Sequence, residues 1–268
     1  GTIGLRFNFI NGGTSGLMSN VKIRKAISYS IDREEMIDAV YGRYNPAYSY
    51  VAPAITFNGS SYRSQVGEVI EDEYNEYVGD PDKIVALFQE GLDELGVETP
   101  IEDITLTYLT SGSTTEVQAE REYIQQSLEE TLGLTVELSV AGDSSLFIAD
   151  RNEGNYDFFL GGWYSDYNDP LDFLYTNYTD AYGMSFGGYS NTDYDALADQ
   201  LVGETDMDKR LDIYKQMEQI LLLDDCAFAP IYYATKQVLL QNWVKDYRTS
   251  SFGASAEFIW TYIDGKNQ

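Results

Sequence analysis

The sequence predicts an α/β fold, and three observations carry that prediction. Residues Ile104–Leu109 alternate apolar and polar as a strand does, and Leu134–Val140 alternates again. Between them Tyr123, Ile124, Ser127, Leu128, Thr131 and Leu132 form a helical stripe that stops at Gly133. Strand, helix and strand with short connections make a crossover unit, which requires parallel pairing in a helix-flanked sheet. Further strand-like segments lie near both ends of the chain, and no internal repeat or low-complexity linker divides it. One α/β lobe with strands at either end accounts for all three.

The elements follow in order. Leu5–Phe9 alternates like a strand, and Gly1-Thr2-Ile3-Gly4 before it reads as the middle of a longer chain. A strand at the very start with no hairpin partner suggests an excised fragment. Turn-rich residues from Asn11 lead to a helix expected near Asn20, with Ile23, Ala26, Ile27, Ser30, Ile37 and Val40 near one face and Gly42 as its stop. From Arg43 to Tyr77 the chain is rich in Tyr, Gly, Ser and Asn, punctuated by Pro46 and Pro53, and reads as a long ordered loop. Asp80-Pro81 is a helix start, with Asp at the cap and Pro at the first helical position, and Gly96 ends that helix. Ser113-Thr114-Thr115-Glu116 has the form of a capping box. Phe158–Trp163 should be a buried strand, and helices are expected after Asp193 and after Asp206. Ala229–Tyr233, Val238–Leu240 and Phe258–Tyr262 look like strands.

Composition narrows the chemistry. Of 268 residues, 44 are Asp or Glu against 17 Lys or Arg, a formal charge of -27. Phosphate binding needs clustered Lys and Arg, so nucleic acid is excluded as a partner, and so is docking on anionic lipid. With no histidine and one cysteine, Ser-His-Asp and Cys-His nucleophiles and nearly every zinc site are absent. Cys226 reads as a buried, inert thiol. Gly161-Gly162 and Gly187-Gly188 lack the spacing and the following Lys-Ser/Thr of a phosphate loop. Asp166-Tyr167-Asn168-Asp169-Pro170 begins like a calcium loop, but Pro170 stands where a ligand belongs. No metal and no cofactor is expected. Asp166 and Asp169 could pair as the acid and base of a glycosidase, although so many acids make close pairs inevitable by chance.

Three separated stretches resemble the family 5 solute-binding proteins of ABC transporters, the oligopeptide- and dipeptide-binding group. They are Val21-Lys22-Ile23-Arg24-Lys25-Ala26-Ile27 through Asp32-Arg33; Tyr156-Asp157 through Gly162-Trp163 to Asp166-Tyr167-Asn168-Asp169-Pro170; and Lys209-Arg210 through Tyr214 to Pro230-Ile231-Tyr232-Tyr233. Each is modest alone, but their order and spacing agree. The resemblance implies a lobe of periplasmic-binding-protein type II, with a mixed β-sheet flanked by helices. It implies a strand crossing the hinge within residues 1–20, a ligand-binding lobe over 21–230, and a return strand and terminal segment over 231–268 that belong to the first lobe. The N-terminal lobe would lie outside this sequence, together with an export signal and, on a cell-surface lipoprotein, the lipid-bearing cysteine. The location implied is extracytoplasmic, and the partners are a short peptide and the ABC permease.

In peptide-binding members the aspartate of the Trp-x-x-Asp element pairs with the ligand's α-ammonium group, and Asp166 occupies that position. A carboxylate inside a closed cleft gains more from a cation than a surface pair does, because solvent screening is removed. Trp163 offers a flat wall, and Tyr164, Tyr167 and Asn168 can satisfy peptide groups without reading side chains. Two plainer readings stand beside these: Asp166 as a turn residue capping Asp169-Pro170, and Trp163 as core packing. Asp32-Arg33 reads as an internal ion pair or a helix cap. The 23 tyrosines, several of them at Tyr41, Tyr44, Tyr48 and Tyr50, suit peptide recognition and sugar stacking alike. An oligosaccharide ligand, or a sensor or adhesion module reusing the lobe, therefore remains an alternative. No Arg or Lys lies between Arg151 and Lys209 to meet a ligand carboxylate. The lack of histidine argues against the nickel-binding branch.

Overall fold

The computed structural model describes residues 1–179, 186–250, 252–253 and 256–266. The first strand, β1, is Thr2–Phe7, and the first helix, α1, is Val21–Tyr29, capped by the Asn20 side chain. The single helix expected from Asn20 to Gly42 is instead broken at residues 30–32. Asp32 starts a new turn, α2 (Arg33–Met36), by accepting the Glu35 amide, and a wider turn over Ile37–Tyr41 ends at Gly42. Arg33 does not pair with Asp32. It is wholly buried and donates to the carbonyls of Ser28, Ala47 and Pro230.

The stretch read as loop from Arg43 to Tyr77 carries short elements: β2 (Asn45–Pro46), β3 (Thr56–Phe57), β4 (Ser60–Ser61), α3 (Tyr62–Val66) and α4 (Glu71–Tyr77). Three of its tyrosines are structural. Tyr50, Tyr62 and Tyr74 are buried, and their packing, rather than a periodic pattern, orders the segment. Helix α5 (Pro81–Leu95) begins at Asp80 and ends at Gly96, as expected. Then come β5 (Thr105–Ser111), α6 (Thr115–Leu132), β6 (Thr135–Ala141), α7 (Ser144–Glu153), β7 (Phe158–Trp163) and α8 (Leu171–Leu174). The capping box is shifted by one residue: Thr114, not Ser113, accepts the Val117 amide, which releases Glu116 to pair with Arg43. Helix α9 (Thr192–Gln200) is capped by Asn191, two residues before the expected Asp193, and α10 (Met207–Gln219) by Asp206. The chain closes with β8 (Phe228–Tyr233), β9 (Val244–Lys245) and β10 (Tyr262–Ile263). Val238–Leu240 forms no strand, and Leu239 is fully exposed. Of Phe258–Tyr262 only Tyr262 pairs, with Lys245.

The main sheet has six strands in the order β2-β8-β1-β7-β5-β6. β5 runs parallel to β6 and β7, which is the predicted crossover, and β1 lies antiparallel between β7 and β8. The sheet is thus mixed. β1 and β7 come so close that a Cβ on Gly162 would stand 1.9 Å from the Thr2 carbonyl oxygen, so Gly162 serves backbone approach. One face, with Leu5, Phe7 and Phe158, packs against α1, α5 and α6 through Ile23, Ile27, Phe88, Ile124 and Leu128. The other, with Phe228 and Tyr233, packs on Phe173, Tyr194, Tyr214 and Met217.

Candidate functional site

The strand directions decide where a ligand can sit. The carboxyl ends of β5, β6, β7 and β8 and the start of β1 all reach one edge of the sheet, as the pairing of Thr2 with both Trp163 and Tyr233 requires. In open α/β sheets this is the edge where ligands bind, because the chain leaves the strands there and exposes its backbone and loops. All five residues singled out by sequence lie at this edge, on the last position of β7 and the loop after it.

That loop is held rather than free. The carboxylate of Asp172, buried at the first turn of α8, accepts the indole N–H of Trp163 at 3.2 Å and the backbone N–H of Asp166 at 2.9 Å. Burial pushes the Asp172 carboxyl above its ordinary range, while the two donors oppose that shift. Asn168 uses its whole amide on Thr56, accepting the backbone N–H at 2.8 Å and donating to the hydroxyl at 2.6 Å. Asp169 caps Leu171 at 2.8 Å and accepts the Tyr214 hydroxyl at 2.8 Å, with Arg210 3.8 Å away. The Gly253 amide donates to the Ser165 carbonyl at 3.3 Å.

Asp166, Tyr164 and Tyr167 face the solvent. Tyr164 is 62% and Tyr167 50% exposed. Asp166 is exposed, and no described residue gives its carboxylate a hydrogen bond or ion pair; the capping of the Asp169-Pro170 turn is done by Asp169 itself. Trp163 is half-buried, with one side against the second core and its ring edge tied to Asp172. A rigid loop that presents an unpaired carboxylate beside aromatic surface is suited to hold a cationic group. Sequence reasoning missed Asp172, whose only signal is an acid in the first turn after Pro170.

Among the described residues no three acidic or cysteine side chains gather as a metal site, and no helix is long and apolar enough to cross a membrane.

With fold and site in view, comparison with known proteins gives a consistent family. The family model for bacterial extracellular solute-binding proteins, family 5 (middle region), matches residues 1–185. The chain belongs to that family. It is 30% identical over 234 residues to the oligopeptide-binding protein OppA of Bacillus subtilis, covering 85% of this chain and 39% of that protein. Listeria monocytogenes OppA bound to peptide superposes with a TM-score of 0.77 at 30% identity, over 98% of this chain and 48% of the other. The substrate-binding domain of an oligopeptide ABC transporter from Bacillus anthracis has the same fold, with a TM-score of 0.83 at 24% identity over 98% of this chain and 49% of that one. The chain spans about two fifths of the length of the curated relatives it matches.

Proposed function

We propose that this chain is the ligand-binding lobe of an extracytoplasmic solute-binding protein that captures short peptides and hands them to an ABC permease, without chemistry on the ligand. The observation that carries the reading is the exposed Asp166 carboxylate, unpaired among the described residues and held at the carboxyl-end edge of the sheet by the hydrogen bond its backbone amide donates to Asp172. A peptide's ammonium group would complete that carboxylate. Trp163, Tyr164 and Tyr167 would flank it, and Asn168 holds their loop in place through Thr56. The peptide backbone would then run along the edge with one end pinned, so that selectivity rests on the amino terminus more than on side chains. The matched relatives named for oligopeptides support this ligand class.

A second lobe, outside this chain, would close over the ligand by a hinge motion. β1 and β8, side by side and antiparallel, would lead toward it, and the exposed Leu239, Phe258, Ile259 and Trp260 of the terminal segment would pack against it. Cell-surface lipidation or a periplasmic location belongs to that larger protein.

Calorimetric titration of the full-length protein with short peptides, free and N-acetylated, tests the reading. Free peptides should bind and acetylated ones should not. Asp166→Asn should reproduce the acetylation effect, since losing one partner of an enclosed charge pair costs about 2–5 kcal/mol. Heat with an oligosaccharide, unchanged in Asp166→Asn, would overturn it.

A further inference from the structure

Most buried carboxylates of this chain are well supplied with donors. Asp157 accepts the Ser15 amide and hydroxyl and the Thr107 amide. Glu218 meets Arg63, the Tyr62 hydroxyl and the amides of Tyr50 and Val51. Asp172 has Trp163 and the Asp166 amide. Glu120, half-buried on α6, is different: among the described residues its donor is the hydroxyl of Tyr232 alone, at 3.1 Å, and no cation reaches it.

A local irregularity brings Tyr232 there. β8 pairs Tyr232 with Ile3 and Pro230 with Gly4, so Ile231 is an extra residue in the ladder. Without that bulge, Ala229, Ile231 and Tyr233 would share a face. With it, Ile231 and Tyr232 both turn toward α6 and Tyr233 turns to the opposite core. Tyr44 stacks on Tyr232 with ring centres 4.8 Å apart and planes 6° from parallel, and Tyr41 donates to the Tyr232 hydroxyl at 3.2 Å. On Tyr44 lies Arg43, 4.5 Å from the ring centre and already neutralised by Glu116. Arg121, the next residue on α6, turns away to the Gly112 carbonyl. Exposed Tyr164, two residues before Asp166, lies within electrostatic reach of both Glu120 and Tyr44.

We propose that Glu120, backed by Tyr232 and bordered by Tyr44 and Tyr164, is a subsite for a cationic side chain of the bound ligand. An under-supplied carboxylate at the ligand edge gains what it lacks from an arriving ammonium or guanidinium group, whose aliphatic stem lies on the tyrosine rings. Tyr164, which borders the subsite, is two positions before Asp166, so the subsite serves a residue near the peptide's amino terminus. This rests on the peptide reading above and adds a side-chain preference to it.

The test uses the full-length protein and tetra-alanine peptides in which position two, three or four is lysine or its uncharged isostere norleucine, titrated at pH 8. Lysine should win by roughly tenfold at one position. In Glu120→Gln that preference should vanish, while tetra-alanine still binds within twofold of the parent and the melting temperature is no lower than the parent's. Equal affinity for lysine and norleucine at every position, or a preference that survives in Glu120→Gln, overturns the subsite. If acetylation-sensitive binding persists in that case, the subsite alone falls. If no peptide binds, both readings fall.

Discussion

Trp163 and Asp172 are joined by an indole-to-carboxylate hydrogen bond of 3.2 Å, and the same carboxylate oxygen takes the Asp166 amide. One buried acid thereby fixes both the aromatic wall and the exposed carboxylate of the proposed ammonium site. Asp172→Ala should leave two donors unmet and cost about 1–3 kcal/mol, read as a lower urea midpoint. It should also weaken peptide binding although Asp172 never touches the ligand. Asp172→Asn keeps one acceptor oxygen and should cost less on both counts. Unchanged binding in Asp172→Ala would show that the loop holds itself.

The deepest ion pair lies elsewhere. Arg63 and Glu218, both almost fully buried, pair beneath Tyr62 and beside the backbone amides of Tyr50 and Val51. Arg63→Met should leave the carboxylate charged without its cation and cost about 3–5 kcal/mol. The double variant Arg63→Met/Glu218→Gln should recover part of that loss, because the stranded charge is gone. Urea unfolding of the three proteins measures this. A double variant less stable than the sum of the singles would contradict it.

Burial raises the Glu120 carboxyl to about 7, with the Tyr232 hydroxyl opposing. A folded value above the unfolded one favours the protonated form, so this group's stabilisation is complete below about pH 4.5 and is lost as pH rises through 7. Glu120→Gln should therefore gain stability relative to the parent at pH 8 and not at pH 4.5. The other groups facing Glu120 are Tyr232, Tyr164 and Tyr44 together with the Arg43–Glu116 pair; burial raises the Tyr232 and Tyr164 hydroxyls above their usual range, and the ion pair raises Arg43 and lowers Glu116. Melting temperatures of both proteins at the two pH values decide it. A difference independent of pH would mean that folding leaves the Glu120 carboxyl unshifted.

What could be read early was whatever short-range physics controls. The crossover from Thr105 to Ala141 was visible because strand and helix periods alternate there, and the helix at Pro81 because its cap and stop are local signals. The segment from Arg43 to Tyr77 was not, since Tyr50, Tyr62 and Tyr74 order it through burial against distant elements. Val238–Leu240 misled for the complementary reason: alternation or apolarity predicts a strand only if a partner strand is present, and here it has none among the described residues.

The candidate site divides along the same line. By itself, the sequence determined the α/β class, the loop from Trp163 to Asp169 and the family to which it belongs. Tertiary structure alone decided that Asp166 is exposed, that Asn168 is occupied by Thr56, and that Asp172 anchors the loop. It also brought Glu120 to Tyr232 across 112 residues, through a bulge in β8 that no periodicity announces. The physical reason is range. Caps, turns and strand alternation are set within a few residues, whereas the desolvation and donor supply of a carboxylate depend on which strands meet at one edge.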